Sequence, residues 1–422
     1  MFDAKPLGEA VAWHTGGGTP SRQVHSYWDG GIPWASVKDF TEDAEQISST
    51  QESISQKGLN ASASNLIPAG TPVVCTRMAV GRSAITTVPI AINQDVKALY
   101  PAAGFTANYL LALLQYAQRF AEAQSVGSTV KGIRIMDYLA IPVPQAPIEE
   151  QPKITEVLAT LNRAIRQTEA IVDKLRQVKK GLLHDLLTRG VNANGELRPT
   201  HDQAPHLYQE SRVGRIPKDW TLRSVASLGE IRSGSTPSRG KADRYFHPEG
   251  TPWVKTLDLN EDVIRKTDEC ITVAALWESS CSVLPADSVL IAMYGGWEQI
   301  GRTAMLGVPS ATNQAISTVT INDPDVVPEY VLRALQHGRP RWKRVAASTR
   351  KDPNITKVDV ETFELPMPST RDEQIAIVTR LRALLTRLAV EQLELNKRQE
   401  EKAGVMDDLL TGRVRVTPLL AQ

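Results

Sequence analysis

One segment of the sequence combines several cations with an aromatic ring and lacks any carboxylate. Trp342 lies among the cations, and the segment from Arg339 to Lys351 contains no Asp or Glu. Such a segment suits contact with phosphates, since each phosphate that a cation neutralises releases a bound counterion. A solvated helix end is the alternative interpretation. The nucleic-acid contacts predicted here are Arg341, Lys343, Arg344, Arg350 and Lys351.

A second candidate is a short loop, G-x-T-P-S-R, which occurs twice. Hydroxyl and backbone N–H groups beside a cation suit contacts with phosphates and base edges. A turn that caps a domain is the open alternative. The contacts predicted in these loops are Thr19, Ser21, Arg22, Thr236, Ser238 and Arg239.

Further polar candidates follow each loop along the chain. Just downstream they could alternate outward on a strand, where a lysine could donate to guanine. These residues are Ser36, Lys38, Lys255 and Thr256. The candidates in later segments are Arg77, Arg82, Lys131, Arg134, Tyr294 and Arg302.

Signatures of catalysis are absent from the sequence. There is no G-x-x-x-x-G-K-[ST] phosphate loop, no G-x-G-x-x-G after a strand, no H-E-x-x-H and no G-x-S-x-G. The string nearest to an adenine methyltransferase turn, Asp352-Pro353-Asn354-Ile355, lacks the second proline and the aromatic residue. His201 and His206 have no cysteine or acidic cluster beside them, which a metal site would need. We therefore expect no catalytic residue, no metal and no cofactor bound by this chain.

The elements that must position the candidate residues occur as two copies. The loop at Gly17 recurs at Gly234, 217 positions later. In the same order, Ile32-Pro33-Trp34 corresponds to Thr251-Pro252-Trp253, Asn93-Gln94 to Asn313-Gln314, Glu150-Gln151 to Glu373-Gln374, and Asp185-Leu186-Leu187-Thr188 to Asp408-Leu409-Leu410-Thr411. A period this long indicates a duplicated set of domains rather than a solenoid.

Each copy begins with about 140 residues in which short apolar or β-branched runs are broken by Gly and Pro. Thr71–Thr76 and Ser288–Met293 are predicted strands, and Tyr109–Ala123 and Glu329–Gln336 are predicted helices. The predicted fold class is α+β, with two similar mixed α/β domains related by pseudo-twofold internal duplication. The predicted segments are globular domains at 1–147 and 214–370, long helices at 148–190 and 371–413, a linker at 191–213 and a tail at 414–422.

The long helices carry an apolar stripe with steps of four and three residues, which is typical of a coiled coil. Its predicted core is Ile154, Leu158, Leu161, Ile165, Val172, Leu175 and Leu182 in the first helix, and Ile377, Leu381, Leu384, Leu388, Leu395 and Val405 in the second. A helix of about 38 residues is about 57 Å long, more than one such domain can cover. We therefore predict that the helices pack antiparallel on each other; the alternative is that each packs on its own domain.

Length and composition limit the class of protein. The chain has 422 residues and a net charge of +1, so any basic surface must be local. Its three cysteines, Cys75, Cys270 and Cys281, are too sparse for a disulfide framework and are typical of the reducing cytosol. No apolar run reaches the roughly 18 residues of a membrane span, and the N-terminus lacks the pattern of a signal peptide. We predict a cytoplasmic protein with no membrane partner.

Taken in order, the repeated motifs resemble those of the specificity (S) subunits of type I restriction–modification systems. The features that carry the resemblance are the paired G-x-T-P-S-R loops with their I/T-P-W and N-Q strings, the paired P-x-P and E-Q helix starts, and the closing L-L-T-R-G and L-L-T-G-R. The resemblance covers nearly the whole chain. It implies two target recognition domains, each binding half of a split site in double-stranded DNA, and an antiparallel coiled coil that docks two methyltransferase (M) subunits.

The resemblance also implies that the chain itself is no enzyme. Methyl transfer from S-adenosylmethionine belongs to the M subunits, and cleavage that uses ATP and Mg²⁺ belongs to restriction (R) subunits in the larger complex. The alternatives are a solitary or degenerate scaffold without site-specific DNA readout, and a fused methyltransferase or nuclease. One departure stands out, because a Pro-x-x-Trp string at Pro217–Trp220 precedes the second domain and has no counterpart before the first.

Overall fold

The computed structural model describes residues 1–41, 45–127, 131–346 and 353–420. Two compact units divide the chain: Met1–Ala170 with Gln392–Gln422 form the first, and Ile171–Glu391 form the second. Each unit therefore combines one globular domain with parts of both long helices. Among the described residues, no helix is long and apolar enough to cross a membrane.

The globular domain of the first unit is built on two β-sheets and one long amphipathic helix. Its strands are β1 (Ala4–Pro6), β2 (Val11–Gly16), β3 (Trp28–Ala35), β4 (Gln46–Ile47), β5 (Glu52–Ile54), β6 (Asn65–Ile67), β7 (Pro72–Cys75), β8 (Ser83–Thr86), β9 (Ile90–Ile92), β10 (Val96–Pro101) and β11 (Pro142–Pro144). Its helices are α1 (Gln56–Asn60), α2 (Ala107–Gln124) and α3 (Ile135–Leu139), followed by the long helix α4 (Gln151–Thr188).

The two sheets and a strand pair have a mixed topology. The five-stranded sheet has the order β2-β10-β7-β8-β4, and the four-stranded sheet has the order β5-β3-β9-β6. Pairs β3–β9 and β4–β8 are parallel, and β1 pairs antiparallel with β11. The Thr106 hydroxyl caps α2 by accepting from the backbone N–H of Tyr109 at 3.2 Å, and the apolar face of α2 closes the core of this domain.

The second unit repeats this plan. Its strands are β12 (Tyr208–Gln209), β13 (Ile216–Pro217), β14 (Thr221–Ser224), β15 (Gly229–Ser233), β16 (Phe246–Val254), β17 (Val263–Ile264), β18 (Cys270–Ile271), β19 (Val289–Ala292), β20 (Thr303–Leu306), β21 (Ala311–Thr312), β22 (Ile316–Ile321) and β23 (Glu364–Met367). Its helices are α5 (Ala242–Tyr245), α6 (Val273–Glu278), α7 (Pro328–Gly338), α8 (Trp342–Val345) and α9 (Lys357–Thr362), followed by the long helix α10 (Arg371–Thr411) and, in the first unit, α11 (Thr417–Leu420).

Strand order shows the duplication directly. The five-stranded sheet β15-β22-β19-β20-β17 follows the same succession as β2-β10-β7-β8-β4, and β14–β23 repeats β1–β11. The predicted α+β fold with two similar domains is confirmed. The predicted linker at 191–213 also contains β12, which pairs antiparallel with β13.

The long helices bury the predicted apolar stripe. The buried positions are Ile154, Leu158, Ile165, Val172, Leu175, Ile377, Leu381 and Leu395, and the half-buried ones are Leu161, Leu182, Leu384, Leu388 and Val405. In the first unit, Ile154 and Leu158 share an apolar cluster with Leu409 and Leu410. In the second, Leu186 shares one with the start of α10. The start of each long helix therefore packs with the end of the other, and the same clusters include core residues of the globular domain.

A pair of histidines in the second unit predicts that the stability of the chain depends on pH. The ring nitrogens of His184 and His337 lie 3.4 Å apart. Burial, with the charges of His184 and Arg341, lowers the pKa of His337 from 6.5 to about 4. The unfolded chain protonates His337 near pH 6.5, whereas the folded chain resists protonation down to about pH 4. Acidification through this window therefore favours unfolding.

We expect the melting temperature of the native chain to fall more steeply between pH 7 and pH 5 than that of His337→Gln. Thermal unfolding of both chains at matched ionic strength tests this. Parallel dependences of the melting temperature on pH would show that His337 makes no contribution.

Candidate nucleic-acid interface

The first G-x-T-P-S-R loop follows β2 and is held by residues from two other motifs, the downstream I-P-W and N-Q strings. Gly17 has no room for a side chain, because an added Cβ would lie 1.8 Å from the carbonyl oxygen of Ile92. Trp34 donates from Nε1 to the carbonyl oxygen of Gly18 at 3.1 Å. Thr19 donates from Oγ1 to Gln94 Oε1 at 2.7 Å. The loop is therefore fixed in one conformation by the downstream Trp and Gln.

The second loop has the same supports. An added Cβ on Gly234 would lie 2.2 Å from the carbonyl oxygen of Asn313. Trp253 donates from Nε1 to the carbonyl oxygen of Ser235 at 3.1 Å, and the Thr236 hydroxyl donates to Gln314. The I/T-P-W and N-Q strings thus recur with the loop because their side chains hold it.

The arginine that ends each loop is paired with a glutamate that lies in or directly before a neighbouring strand. Arg22 binds the Glu52 carboxylate through both terminal nitrogens and stacks 3.8 Å over the Trp28 ring. Arg239 pairs with Glu269, with Nη2 3.0 Å from Oε2, and lies over Phe246. Both arginines remain exposed, so each presents a fixed guanidinium whose charge is partly neutralised.

These pairs favour the ionised form of both carboxylates. Hydrogen bonds from Arg239 and Lys255 lower the pKa of Glu269 to about 2. The hydrogen bond from Arg22 likewise lowers the pKa of Glu52. Sequence reasoning missed both glutamates, although their positions differ by the same 217 residues as the two loops.

Gly234→Ala is expected to destabilise the second unit by about 2 kcal/mol or more, because the nearest atoms to the new Cβ are backbone oxygens that cannot move away cheaply. The matched control is Gly240→Ala, whose nearest neighbour is Ser238 Oγ at 3.6 Å. That change should stay within about 0.5 kcal/mol. Urea unfolding of both variants measures the difference, and equal midpoints would contradict this account of the loop.

The expectation that the next polar residues alternate along a strand is wrong. Strand β3 ends at Ala35 and β16 ends at Val254. Lys38 and Thr256 therefore lie on the short 3₁₀ turns that follow, and Ser36 and Lys255 directly precede those turns.

The hydrogen bonds of these turns use their polar residues. The backbone N–H of Ser36 donates to Asp39 Oδ2 at 2.8 Å, and that of Lys255 donates to Asp258 Oδ2 at 2.7 Å. Lys38 is exposed. Lys255 Nζ instead lies 3.0 Å from the carboxylate of Glu269, which also pairs with Arg239.

The candidates in later segments differ in exposure. Arg77, Lys131, Arg134 and Tyr294 are exposed, with Arg77 3.6 Å from Asp95. Arg82 and Arg302 are half-buried. Arg82 donates to the carbonyl oxygen of Phe40, and Arg302 donates to Gln299.

The basic segment divides into structural and exposed residues. Trp342 is buried and stacks 3.8 Å from the Phe363 ring. Arg341 donates to the carbonyl oxygen of Glu364 at 2.8 Å and covers the same ring. Lys343 and Arg344 are exposed on α8. Arg350 and Lys351 lie outside the described residues, so among the described candidates the prediction now rests on Lys343 and Arg344.

The E-Q pair at the start of each long helix has equivalent partners in the two units. Gln151 accepts from the backbone N–H of Thr106 at 3.0 Å, beside the start of α2. Gln374 accepts from that of Val327 at 2.9 Å, beside the start of α7. Each glutamine therefore joins its long helix to the N-terminus of a domain helix, where backbone donors lack partners.

The glutamate of each pair binds an arginine beyond the end of the other long helix. Buried Glu150 accepts from Arg415, with Nε 3.1 Å from Oε2. Glu373 accepts from Arg198, with Nη2 3.2 Å from Oε2. Antiparallel helices bring these groups together within each unit. Sequence reasoning recognised the E-Q pairs but missed the arginines.

The missing Pro-x-x-Trp string has a structural substitute. Trp220 donates from Nε1 to Glu373 at 3.2 Å and packs on Gly190, where an added Cβ would lie 2.5 Å from the indole. In the first unit, Phe2 packs on Gly412 in the same way, with an added Cβ 2.8 Å from its ring. A phenylalanine thus takes the place of the tryptophan.

A family model described as "Type I restriction modification DNA specificity domain" matches residues 3–177 and 217–400. The chain belongs to this family. The two matched ranges correspond to the two copies, and each includes a globular domain and part of a long helix.

Two relatives and one solved structure of this family are similar to part or nearly all of the chain. The type I restriction enzyme MjaIX specificity subunit of Methanocaldococcus jannaschii is 24% identical over 295 residues, which cover 69% of this chain and 65% of that protein. The EcoR124I/EcoR124II specificity subunit of Escherichia coli is 31% identical over 193 residues, covering 43% and 47%. The crystal structure of a type I S subunit from M. genitalium superposes with a TM-score of 0.59 at 11% identity, covering 97% of this chain and 96% of that one.

The described side chains of this specificity-domain chain were searched for groups that could bind a metal ion. Within residues 1–41, 45–127, 131–346 and 353–420, no group of three or more His, Cys, Asp or Glu side chains could hold a metal ion. The described candidates instead lie in two sets of cations and hydroxyls, one on each globular domain, of which the G-x-T-P-S-R loops are equivalent.

Proposed function

We propose that this chain is the DNA-recognition subunit of a type I restriction–modification complex. Each globular domain would bind one half of a bipartite site, and the antiparallel helices would scaffold two M subunits. The observation that carries the proposal is the match of the specificity-domain family to both copies. The copies share the strand order of their five-stranded sheets and the hydrogen-bonded G-x-T-P-S-R loop.

The geometry supports a chain that binds rather than reacts. Its G-x-T-P-S-R loops are held by hydrogen bonds, and the exposed arginines and lysines of the two domains are donors suited to phosphates and to guanine. Two similar domains produced by an internal duplication suit a DNA site with two separate halves. M subunits with S-adenosylmethionine would methylate adenine after flipping it out of the duplex. R subunits with ATP and Mg²⁺ would cleave, and the complex would act in the cytoplasm.

The test is co-expression with an M subunit, followed by methylome sequencing and footprinting of the purified complex. A methylated motif with two specified halves and an unspecified spacer is the expected result. Protection of one continuous short site would overturn the two-domain account. Assembly with M but no site-specific protection would favour a scaffold without DNA readout, and binding of S-adenosylmethionine by the isolated chain would favour a fused methyltransferase.

Lys343 and Arg344 supply a quantitative prediction. Replacing both with Ala should weaken DNA binding similarly for all sequences and reduce the slope of log K against log salt by about two, one for each lost phosphate contact. The matched control replaces Arg265 and Lys266, another adjacent pair of exposed cations in the same unit. Filter binding across a salt series measures the slopes, and an unchanged slope would remove α8 from the interface.

A further inference from the structure

One loop in each globular domain carries exposed apolar side chains. In each loop, a backbone hydrogen bond joins the two ends. The backbone N–H of Gly81 donates to the carbonyl oxygen of Cys75 at 2.9 Å, and that of Gly301 donates to Ala292, also at 2.9 Å. We call residues 76–80 the first tip and residues 293–300 the second tip. The second tip is three residues longer.

The first tip holds Met78 in an unfavourable position. Its side chain is 61% exposed, and its φ of 61° lies in the left-handed region that side-chain-bearing residues avoid. A glycine would relieve the strain. A strained, solvent-exposed methionine therefore indicates a use for the apolar side chain outside the folded chain.

The second tip presents larger side chains on a glycine pair. Trp297 is 47% exposed and Tyr294 is 43% exposed. Between them, Gly295 and Gly296 have φ values of 107° and 78°. In both tips, backbone with positive φ lies at or next to the exposed apolar side chains. Only in the second tip are the residues with positive φ glycines.

Exposed cations lie beside both tips. The backbone N–H of Met78 donates to the carbonyl oxygen of Lys131 at 2.8 Å, and Arg77 and Lys131 are exposed. At the second tip, Gly301 lies against Trp342, since an added Cβ would be 2.2 Å from the indole. Trp342 begins α8, which carries Lys343 and Arg344. The exposed apolar side chains suit contact with stacked bases, and the cations beside them suit contact with the phosphates on either side.

We propose that the two tips are wedges that enter the DNA duplex at a base step in each half-site, Met78 in one and Trp297 with Tyr294 in the other. The neighbouring cations would hold the phosphates while the apolar side chain separates adjacent bases and kinks the duplex, as architectural DNA-binding proteins do. This inference rests on the proposed function. Because the two tips differ, they would favour different base steps.

The experiment uses the full chain assembled with M and duplexes that carry the methylated motif. 2-Aminopurine, which fluoresces when unstacked, replaces one base at a time at positions other than the methylated adenine. Fluorescence should rise at one step per half-site with the native chain. Met78→Gly should abolish the rise in one half-site only, and the double variant Trp297→Ala/Tyr294→Ala in the other, each with at least a tenfold loss of affinity.

Matched variants separate these effects from folding. Met78→Gly should raise the melting temperature by removing strain, so its loss of binding cannot come from unfolding. Asp29→Gly, another exposed residue with positive φ (56°) in the same unit, should also raise the melting temperature but leave fluorescence unchanged. Trp277→Ala removes an exposed tryptophan elsewhere in the second unit and should leave fluorescence and affinity unchanged.

Two outcomes distinguish failure of the wedges from failure of the proposed function. A native complex that binds its bipartite site with no rise at any probed position, or variants that retain both the rise and the affinity, would overturn the wedges alone. A native complex with no site-specific binding would overturn the proposed function, and the wedges with it.

Discussion

Replacement of Glu373 by Ala is expected to cost about 3 kcal/mol of the free energy of unfolding of the second unit. The carboxylate accepts from the backbone N–H of Val191 at 2.9 Å, from Trp220 Nε1 at 3.2 Å and from Arg198. The Arg198 side chain is only 12% exposed. Removing its main partner leaves a largely buried charge compensated by Asp219 alone, and breaking a buried pair is costly. Urea unfolding measures the loss.

Glu150→Ala is the matched control in the other unit. The Glu150 side chain is 3% exposed, against 9% for Glu373, but its partner Arg415 has a side chain that is 44% exposed and stays hydrated when the carboxylate is removed. We expect a smaller cost, about 1 kcal/mol. Equal costs for the two variants would show that exposure of the arginine does not decide the energy of these pairs.

Leu381→Asp is expected to cost more than about 4 kcal/mol and to abolish assembly with M. Leu381 is fully enclosed on α10, in one apolar cluster with Leu186 and Ile377. The substitution removes a buried leucine and places a carboxylate in apolar surroundings, which are both costly. Thermal unfolding and co-purification with M measure the two effects.

Val390→Asp provides the control on the same helix, because Val390 is exposed. Its cost should stay within about 0.5 kcal/mol. Leu161→Asp and Leu384→Asp should fall between these extremes, since both residues are half-buried. A Leu381→Asp chain with native melting temperature and full M binding would contradict the packing described for the helix ends.

Much of the architecture could be predicted from the sequence because its signals are local. The apolar stripe depends on neighbours three and four residues apart, and the long helix expected at 148–190 is observed at Gln151–Thr188. The duplication was also visible, because two copies preserve the order of their motifs. The strand expected at Ser288–Met293 is observed at Val289–Ala292.

The candidate interface was less predictable, because exposure and pairing depend on contacts between distant positions. Arg22 and Arg341 have the same charge as Lys343, but Arg22 is paired with Glu52, 30 residues away, and Arg341 with the carbonyl oxygen of Glu364. Nothing in the local spacing separates these arginines from an exposed lysine.

The sequence by itself therefore determined that this chain consists of two matched copies, each a mixed α/β domain followed by a long amphipathic helix. Periodicity and repetition can be recognised in the linear sequence, since neither depends on contacts between distant residues. Only the tertiary structure decided which cations remain available, that Phe2 substitutes for Trp220, and that Glu150 meets Arg415 across 265 residues. Those outcomes depend on burial and on antiparallel packing, which bring together groups that are far apart in the chain.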